Sequence, residues 1–218
     1  MNHNGKGIIY YTDNRLDDKI AEAVRSQLLS IGLPIVSASL QPLDFGDVNI
    51  HVDMERGYHA YFTQIVKALE ASKNDIIFFC EHDNLYHPTH FDFTPPTPDK
   101  FYYDLNWWKV RNDGLAVHWD AVQVSGLVCY RELALKYYAS RLASFDPESF
   151  DRKFEPTVDT EYETYWAEFP SIDVRHDKNL TYNKWKLEHF RDKTTAVNFQ
   201  QTTIDKIPGW KNLGELLW

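Results

Sequence analysis

Along this chain, short continuous apolar runs alternate with apolar stripes at helical spacing. Gly7-Ile8-Ile9-Tyr10-Tyr11 is a run of strand length. After the polar Thr12-Asp13-Asn14-Arg15, Leu16, Ile20, Val24, Leu28 and Ile31 recur on one helical face. Asp17 and Asp18 lie in the first turn, where acids complement the helix dipole. Gly32-Leu33-Pro34 ends that helix, and Pro34 to Ser39 reads as a second strand. Gln41 to Val52 reads as a loop with a short strand. Tyr58, Tyr61, Phe62, Ile65, Val66 and Leu69 form a second helical stripe that packs on a sheet. The next run, Ile76-Ile77-Phe78-Phe79-Cys80, reads as a strand buried on both faces, as inside a parallel sheet. Two β-α-β units in succession predict an α/β, Rossmann-like three-layer domain with a mostly parallel central sheet.

The second half reads differently. Phe101–Asp104, Asn106–Val110 and Leu115–Trp119, with a turn at Asn112-Asp113-Gly114, predict a small antiparallel element. Ser125 reads as the N-cap of a helix carrying Tyr130, Leu133, Ala134, Tyr137 and Tyr138 on one face, which places Cys129 inside it. An acid-rich stretch from Ser144 to Glu168 follows, and a further helix is expected around Tyr182–Arg191. The rigid Thr94-Pro95-Pro96-Thr97-Pro98 is too short to link two domains. It redirects the chain between two halves, about 7–93 and 94–218, of one expected domain spanning 1–218.

Composition narrows the classes. The chain has 218 residues, 43% hydrophobic and 25% charged, as in ordinary globular proteins. Its apolar runs fall far short of a membrane span, and Met1 to Lys6 is polar, so no membrane insertion and no signal peptide are expected. The two cysteines, Cys80 and Cys129, offer no disulfide framework, and a reducing cytoplasm is expected. A net charge of −9 argues against tight non-specific binding to nucleic acid, while leaving room for a local basic groove. Nothing in the pattern fixes an oligomeric state.

The chemistry concentrates where the buried run ends, at Glu81-His82-Asp83. Carboxylates at i and i+2 point the same way on a strand and repel unless a cation lies between them. The carboxyl edge of an open α/β sheet is where such folds bind ligands. A divalent metal site is the functional reading; a solvated acidic turn is the plain one. His87 and His90 lack further zinc ligands and read as loop residues shaping the pocket.

Phe79-Cys80-Glu81-His82-Asp83-Asn84-Leu85-Tyr86-His87-Pro88 resembles the Asp-x-Asp metal motif of GT-A fold nucleotide-sugar glycosyltransferases, with Glu in place of the first acid. Ile172-Asp173-Val174-Arg175-His176-Asp177-Lys178-Asn179-Leu180-Thr181 resembles the Ile-Arg-His-Gly-x-Asn-Leu-Thr segment of a bacterial and phage branch of those enzymes, with Asp177 where Gly is usual. The motifs and the chain between them cover most of residues 7 to 210. The resemblance implies a single GT-A domain in the cytoplasm of a bacterium or phage-infected cell, using a nucleoside-diphosphate sugar, with uridine as the expected base. The loop after the first strand would hold base and ribose through Tyr11, Thr12, Asp13 and Arg15. Tyr11 could stack, Asp13 could accept from the uracil imide, and Arg15 could reach phosphate; the plainer role for Asp13 is to cap the helix. Asp83 would ligate the metal, with Glu81 on the ribose, a metal-bound water or the metal itself, and His82 beside the nucleotide-sugar. His176 would be a further ligand, which suits Mn²⁺ better than Mg²⁺. Arg175, Lys178, Asn179 and Thr181 would donate to the diphosphate.

For the acceptor, Trp107 and Trp108 offer an aromatic platform, and Ser125-Gly126 would allow close approach. Asp120 and Glu132 stand as candidate bases, as do several acids from Glu148 to Glu163. The expected acceptor is a glycan or small-molecule hydroxyl. The alternative is a hydroxymethylated base in phage-type DNA, held by Trp107, Trp108 and Tyr103, against which stand the negative charge and the scattered cations. Two other classes remain. A nucleotidyltransferase should show a second acidic pair or a Gly-rich phosphate loop, and neither is found. A non-catalytic nucleotide-sugar-binding module would keep the fold without turnover.

Overall fold

The structure, a computed structural model, describes residues 5–149, 155–157, 160–179 and 182–218. Strand β1 (Lys6–Thr12) leads into helix α1 (Asp18–Ile31) and strand β2 (Ile35–Ser39). The side chain of Asp17 caps α1 by accepting from the Lys19 N–H. Gly32 ends it at φ 73°, a left-handed turn that suits glycine. An exposed edge strand β3 (Val48–His51), helix α2 (Tyr58–Ala71) and strand β4 (Ile76–Glu81) complete the second β-α-β unit.

After the two-residue strand β5 (Asn84–Leu85), the chain forms β6 (Phe101–Asp104), the hairpin β7 (Trp107–Val110) and β8 (Leu115–His118), then β9 (Leu127–Tyr130) and helix α3 (Arg131–Ala143). Strands β10 (Tyr162–Tyr165), β11 (Ser171–Val174) and β12 (Gln200–Thr203) follow, with a last short helix α4 (Leu213–Leu217). The central sheet has seven strands in the order β10-β6-β9-β4-β1-β2-β3. All its pairings are parallel except the two made by β9. A five-stranded mixed sheet, β12-β8-β7-β11-β5, forms a second layer of strands.

Alternation along β1 sorts the layers. Ile8 and Tyr10 join a core with Ile20, Val24 and Leu28 of α1 and with Val110, Ile172 and Val174 of the small sheet. Ile9 and Tyr11 face the other way, onto Phe62, Ile65 and Leu69 of α2 and Ala134 and Tyr138 of α3. The small sheet therefore packs on the same side of the central sheet as α1, with two helices on the opposite side.

Four expectations need correction. The helix assigned from Ser125 begins at Arg131, and Leu127-Val128-Cys129-Tyr130 is a strand; a short apolar run that meets a helical stripe looks continuous with it. Cys129 is thus a strand residue, and Ser125 lies in a 3₁₀ turn where its Oγ accepts from Gln123 Nε2. Phe101–Asp104 does not join the antiparallel hairpin but pairs with β9 and β10 in the central sheet. The segment expected as a helix around 182–191 has regular structure only in a 3₁₀ turn at Leu187–His189. Thr181, like Asp151 and Asp159, lies outside the described residues.

Candidate functional site

The carboxyl ends of β1 and β4 open on one cleft of about 170 Å³. Tyr11, Thr12 and Asp13 line it from β1 and its loop, and Glu81, His82 and Asp83 from β4. Arg175, Lys178 and Asn179 reach it from the loop after β11, with Asp173 from β11 itself. That loop is placed by backbone bonds: Val174 N–H donates to Asp83 O at 2.9 Å, and Arg175 N–H to Val110 O at 2.8 Å. The two motifs, distant in sequence, thus meet because β11 runs beside β7 and β5 immediately after the acidic turn.

His82, Asp83 and His176 place one ligand atom each within 4.8 Å of one another. His176 Nε2 lies 3.4 Å from Asp83 Oδ2, and Asn179 Nδ2 donates to the same oxygen at 3.0 Å. Asn84 Nδ2 donates to Asp83 Oδ1 at 3.0 Å, so both carboxylate oxygens are oriented. His176 Nδ1 accepts the Lys178 N–H at 3.1 Å, which puts the proton of the neutral ring on Nε2, toward the carboxylate; ligating a cation through Nε2 would move that proton to Nδ1 and displace the Lys178 contact. His82 Nδ1 sits 2.6 Å from Thr12 Oγ1; with the proton on Nδ1, its Nε2 is an acceptor. Two imidazoles and one carboxylate, each held by a partner of its own, fit a borderline cation such as Mn²⁺ better than Mg²⁺. Glu81 lines the cleft but is not in this cluster among the described residues.

The acids at this edge differ in charge state. Burial works against the ionised form of Asp83, but the His176 hydrogen bond and the charges of His82, His176 and Arg175 outweigh it and hold the carboxyl below its usual range. Burial and the neighbouring Asp83, Asp173 and Glu155 push Glu81 well above it. Burial also raises Asp173, against the pull of Arg175. At Asp13 burial is opposed by Arg56, His82 and the Arg15 N–H, and the carboxyl is lowered.

The β1 end of the cleft is tied into a network. Gln64, buried in α2, donates to Thr12 O at 2.7 Å and Ala38 O at 3.0 Å, fixing the start of the loop. Asp13 does not cap α1, which Asp17 does; it accepts from Arg15 N–H and pairs with Arg56. Arg56 also donates to Lys178 O at 3.0 Å, and Lys178 Nζ to Arg15 O at 2.8 Å, joining the two loops across the cleft mouth. Arg15 is exposed and, with Arg56 and Lys178, lines an open basic recess there. Tyr11 is buried, its ring edge-on to Tyr61 at 5.3 Å; Tyr61 is the more open of the two and lines the cleft.

On the acceptor side the structure redistributes the candidates. Ser125 lines the cleft with Gln123, Val124 and Glu155. Trp107 is fully buried, edge-on to Tyr86 at 5.4 Å, and is a core residue rather than a platform. Trp108 is half-buried and packs on His118 at 5.6 Å, outside the cleft lining. Gly126 makes room for the chain itself: a Cβ there would meet Asp104 O at 2.7 Å. Glu132 is 78% exposed beside Arg131, and Asp120 is held by Asn198 Nδ2 at 2.7 Å; neither lines the cleft. Arg56, Tyr61 and Asp173 are among the cleft residues to which sequence reasoning gave no site role, and Glu155 is the one of the acids offered between Glu148 and Glu163 that lines it.

No family model matches the chain, and no curated protein matches it. Among solved structures it is similar to a glycosyltransferase involved in glycosylation of the major capsid of PBCV-1, with 9% identity over 74% of this chain and 81% of that one, at a TM-score of 0.46. It is also similar to HddC from Yersinia pseudotuberculosis, with 11% identity over 77% and 92% and a TM-score of 0.46. The inositol-1-phosphate CTP transferase from T. maritima gives 11% over 99% and 95%, at 0.41. Overlaps of this depth leave the chemistry to be read from the chain's own side chains.

Proposed function

We propose that the chain is a metal-dependent glycosyltransferase that moves a sugar from a nucleoside-diphosphate sugar, of uridine type, to a hydroxyl of a glycan or small molecule. The observation that carries this is the His82–Asp83–His176 cluster at the edge of a cleft that the adjoining β1 loop also lines. Breaking an anomeric C–O bond leaves growing negative charge on a diphosphate. A Mn²⁺ ion would stabilise that charge. Asp83, His176 and His82 would hold the cation, with Asn179 and Asn84 fixing the carboxylate. Arg175 and Lys178 line the same cleft and would donate to the phosphates. Tyr61 and Tyr11 offer the base an aromatic wall, and Asp13 an acceptor for its imide. Of the acids offered as bases by the sequence, Glu155 reaches the cleft, together with Ser125 and Gln123, and is the one to test for deprotonating the acceptor.

The test is to incubate the protein with Mn²⁺, a panel of radiolabelled nucleotide-sugars and simple glycan acceptors beside hydroxymethylcytosine-containing DNA. Label passing from a uridine donor to a sugar acceptor is the expected result. Label entering only the DNA selects the DNA-modifying reading. Pyrophosphate release from a nucleoside triphosphate and a sugar phosphate, without sugar transfer, would instead mark a nucleotidyltransferase. Equal affinity for all nucleoside diphosphates removes the base-contact role of Asp13 and Tyr11.

A further inference from the structure

Lys109 is 1% exposed, and its ammonium makes no hydrogen bond to any of the described residues. Its Nζ lies 4.0 Å from the Trp119 ring centroid. Lysine is almost never fully buried without a charged partner, so the position asks for a reason. It sits in the middle of the small sheet, in register with Val117 of β8 and with Asp173 of β11. Neighbours in register point to the same face of a sheet. Asp173 is 5% exposed, and its Oδ2 accepts from Arg175 Nη2 at 2.6 Å. Asp173 and Arg175 line the cleft and Lys109 does not. The guanidinium and the carboxylate thus both face the cleft, and the ammonium lies on the neighbouring strand, outside its lining.

A planar guanidinium is the group best matched to phosphate oxygens. Arg175 directly precedes His176 and is placed to meet a diphosphate held at the cluster. Turning to it would strip Asp173 of its cation, and an uncompensated buried carboxylate is strongly unfavourable. We propose that Lys109 is a positioning residue that takes over the charge of Asp173 when Arg175 turns onto the phosphates of a bound nucleoside diphosphate. This rests on the donor reading of the cleft given above. The lysine is suited to a reserve role. Burial lowers its pKa to about 7, with Asp173 and Asp120 opposing the shift and Arg175 and Lys184 adding to it, so it gains a proton readily near neutrality. His118 on β8 also feels its charge.

The experiment is calorimetric titration of UDP, at saturating Mn²⁺, into the wild-type protein, Lys109→Met, Asp173→Asn and the double variant, with thermal melting of each ligand-free protein. Lys109→Met is expected to melt no lower than wild type and to bind Mn²⁺ alone equally well, but to bind UDP on the order of tenfold more weakly. Asp173→Asn in that background should restore binding, since no buried carboxylate is then left to neutralise. UDP binding by Lys109→Met at the wild-type level, or no recovery in the double variant, overturns the proposal. Should Lys109→Met not fold, Asp173→Asn decides alone. With the competing carboxylate gone its UDP affinity stays at or above wild type, whereas a fall means that Asp173 only orients Arg175. A wild-type protein that binds no nucleoside diphosphate overturns the donor reading and this role with it. Wild-type binding with unaffected variants overturns only the role of Lys109.

Discussion

Asn179 gives one amide hydrogen to Asp83 Oδ2 at 3.0 Å, across 96 residues of sequence, while its own Oδ1 accepts the His176 N–H at 2.9 Å. One carboxamide therefore fixes both the carboxylate of the acidic turn and the backbone of the loop that brings the second imidazole. The loss of this bridge should be felt at the cation rather than in the fold. Asn179→Ala is expected to weaken Mn²⁺ binding by roughly 10–100-fold, the usual effect of removing a group that orients a ligand, with little change in melting temperature. Titration followed by Mn²⁺ electron paramagnetic resonance measures it; an unchanged affinity would separate Asn179 from the site.

Asp83→Ala and His176→Ala act one step closer. Each removes a ligand atom from the cluster, and sugar transfer should fall by about 10²–10³ or more in each, together with loss of bound Mn²⁺. Glu81→Gln should be milder, with its effect in donor affinity, because Glu81 lines the cleft without joining the cluster. Full turnover of either alanine variant in Mn²⁺ would remove the metal-site reading.

The acidic turn was legible in the sequence because a buried run that stops at carboxylates has little reason to do so except at a sheet edge. The end of α1 at Gly32 was legible in its turn chemistry and its start in the acids of the first turn, although the cap is Asp17 and not Asp13. What stayed hidden needed contacts between distant segments. Arg56 has no local motif, and its pairing with Asp13 spans 43 residues. Tyr61 belongs to the α2 stripe and differs from its neighbours only in lying at the margin of the packed face, where the cleft begins. Trp107 and Trp108 are adjacent and alike in composition, yet strand alternation buries one fully and leaves the other half-open. Aromatic density alone carries no information about which.

Gly126 illustrates how a residue read for a ligand can belong to the fold. A methyl group there would meet Asp104 O at 2.7 Å and Trp107 Nε1 at 3.1 Å, and both neighbours are held in the interior. Gly126→Ala is expected to cost about 1–3 kcal/mol, as overpacking of a filled interior does. Urea denaturation measures this. A variant as stable as wild type with a weakened acceptor affinity would return Gly126 to the site.

Lys109 makes a prediction about pH that can be checked without any ligand. Its folded-state pKa, lowered by burial from 10.5 to about 7, means that between these values the unfolded chain holds a proton that the folded one has released. Stability then rises with pH across that window, because the unfolded state binds more protons. Below pH 7 both states carry the charge and the burial penalty is felt in full. Other buried groups work in the opposite direction at higher pH. Burial raises Cys80, Tyr11 and Tyr61, so the unfolded chain loses their protons first and folding weakens as they begin to titrate. The comparison that isolates the lysine is the difference between wild type and Lys109→Met, in which those contributions cancel. Measured by urea denaturation from about pH 6 to 9, the variant should be the more stable protein at the acid end, and its advantage should shrink steadily above pH 7. An advantage that is constant across the range would mean that the ammonium keeps an ordinary pKa in the fold.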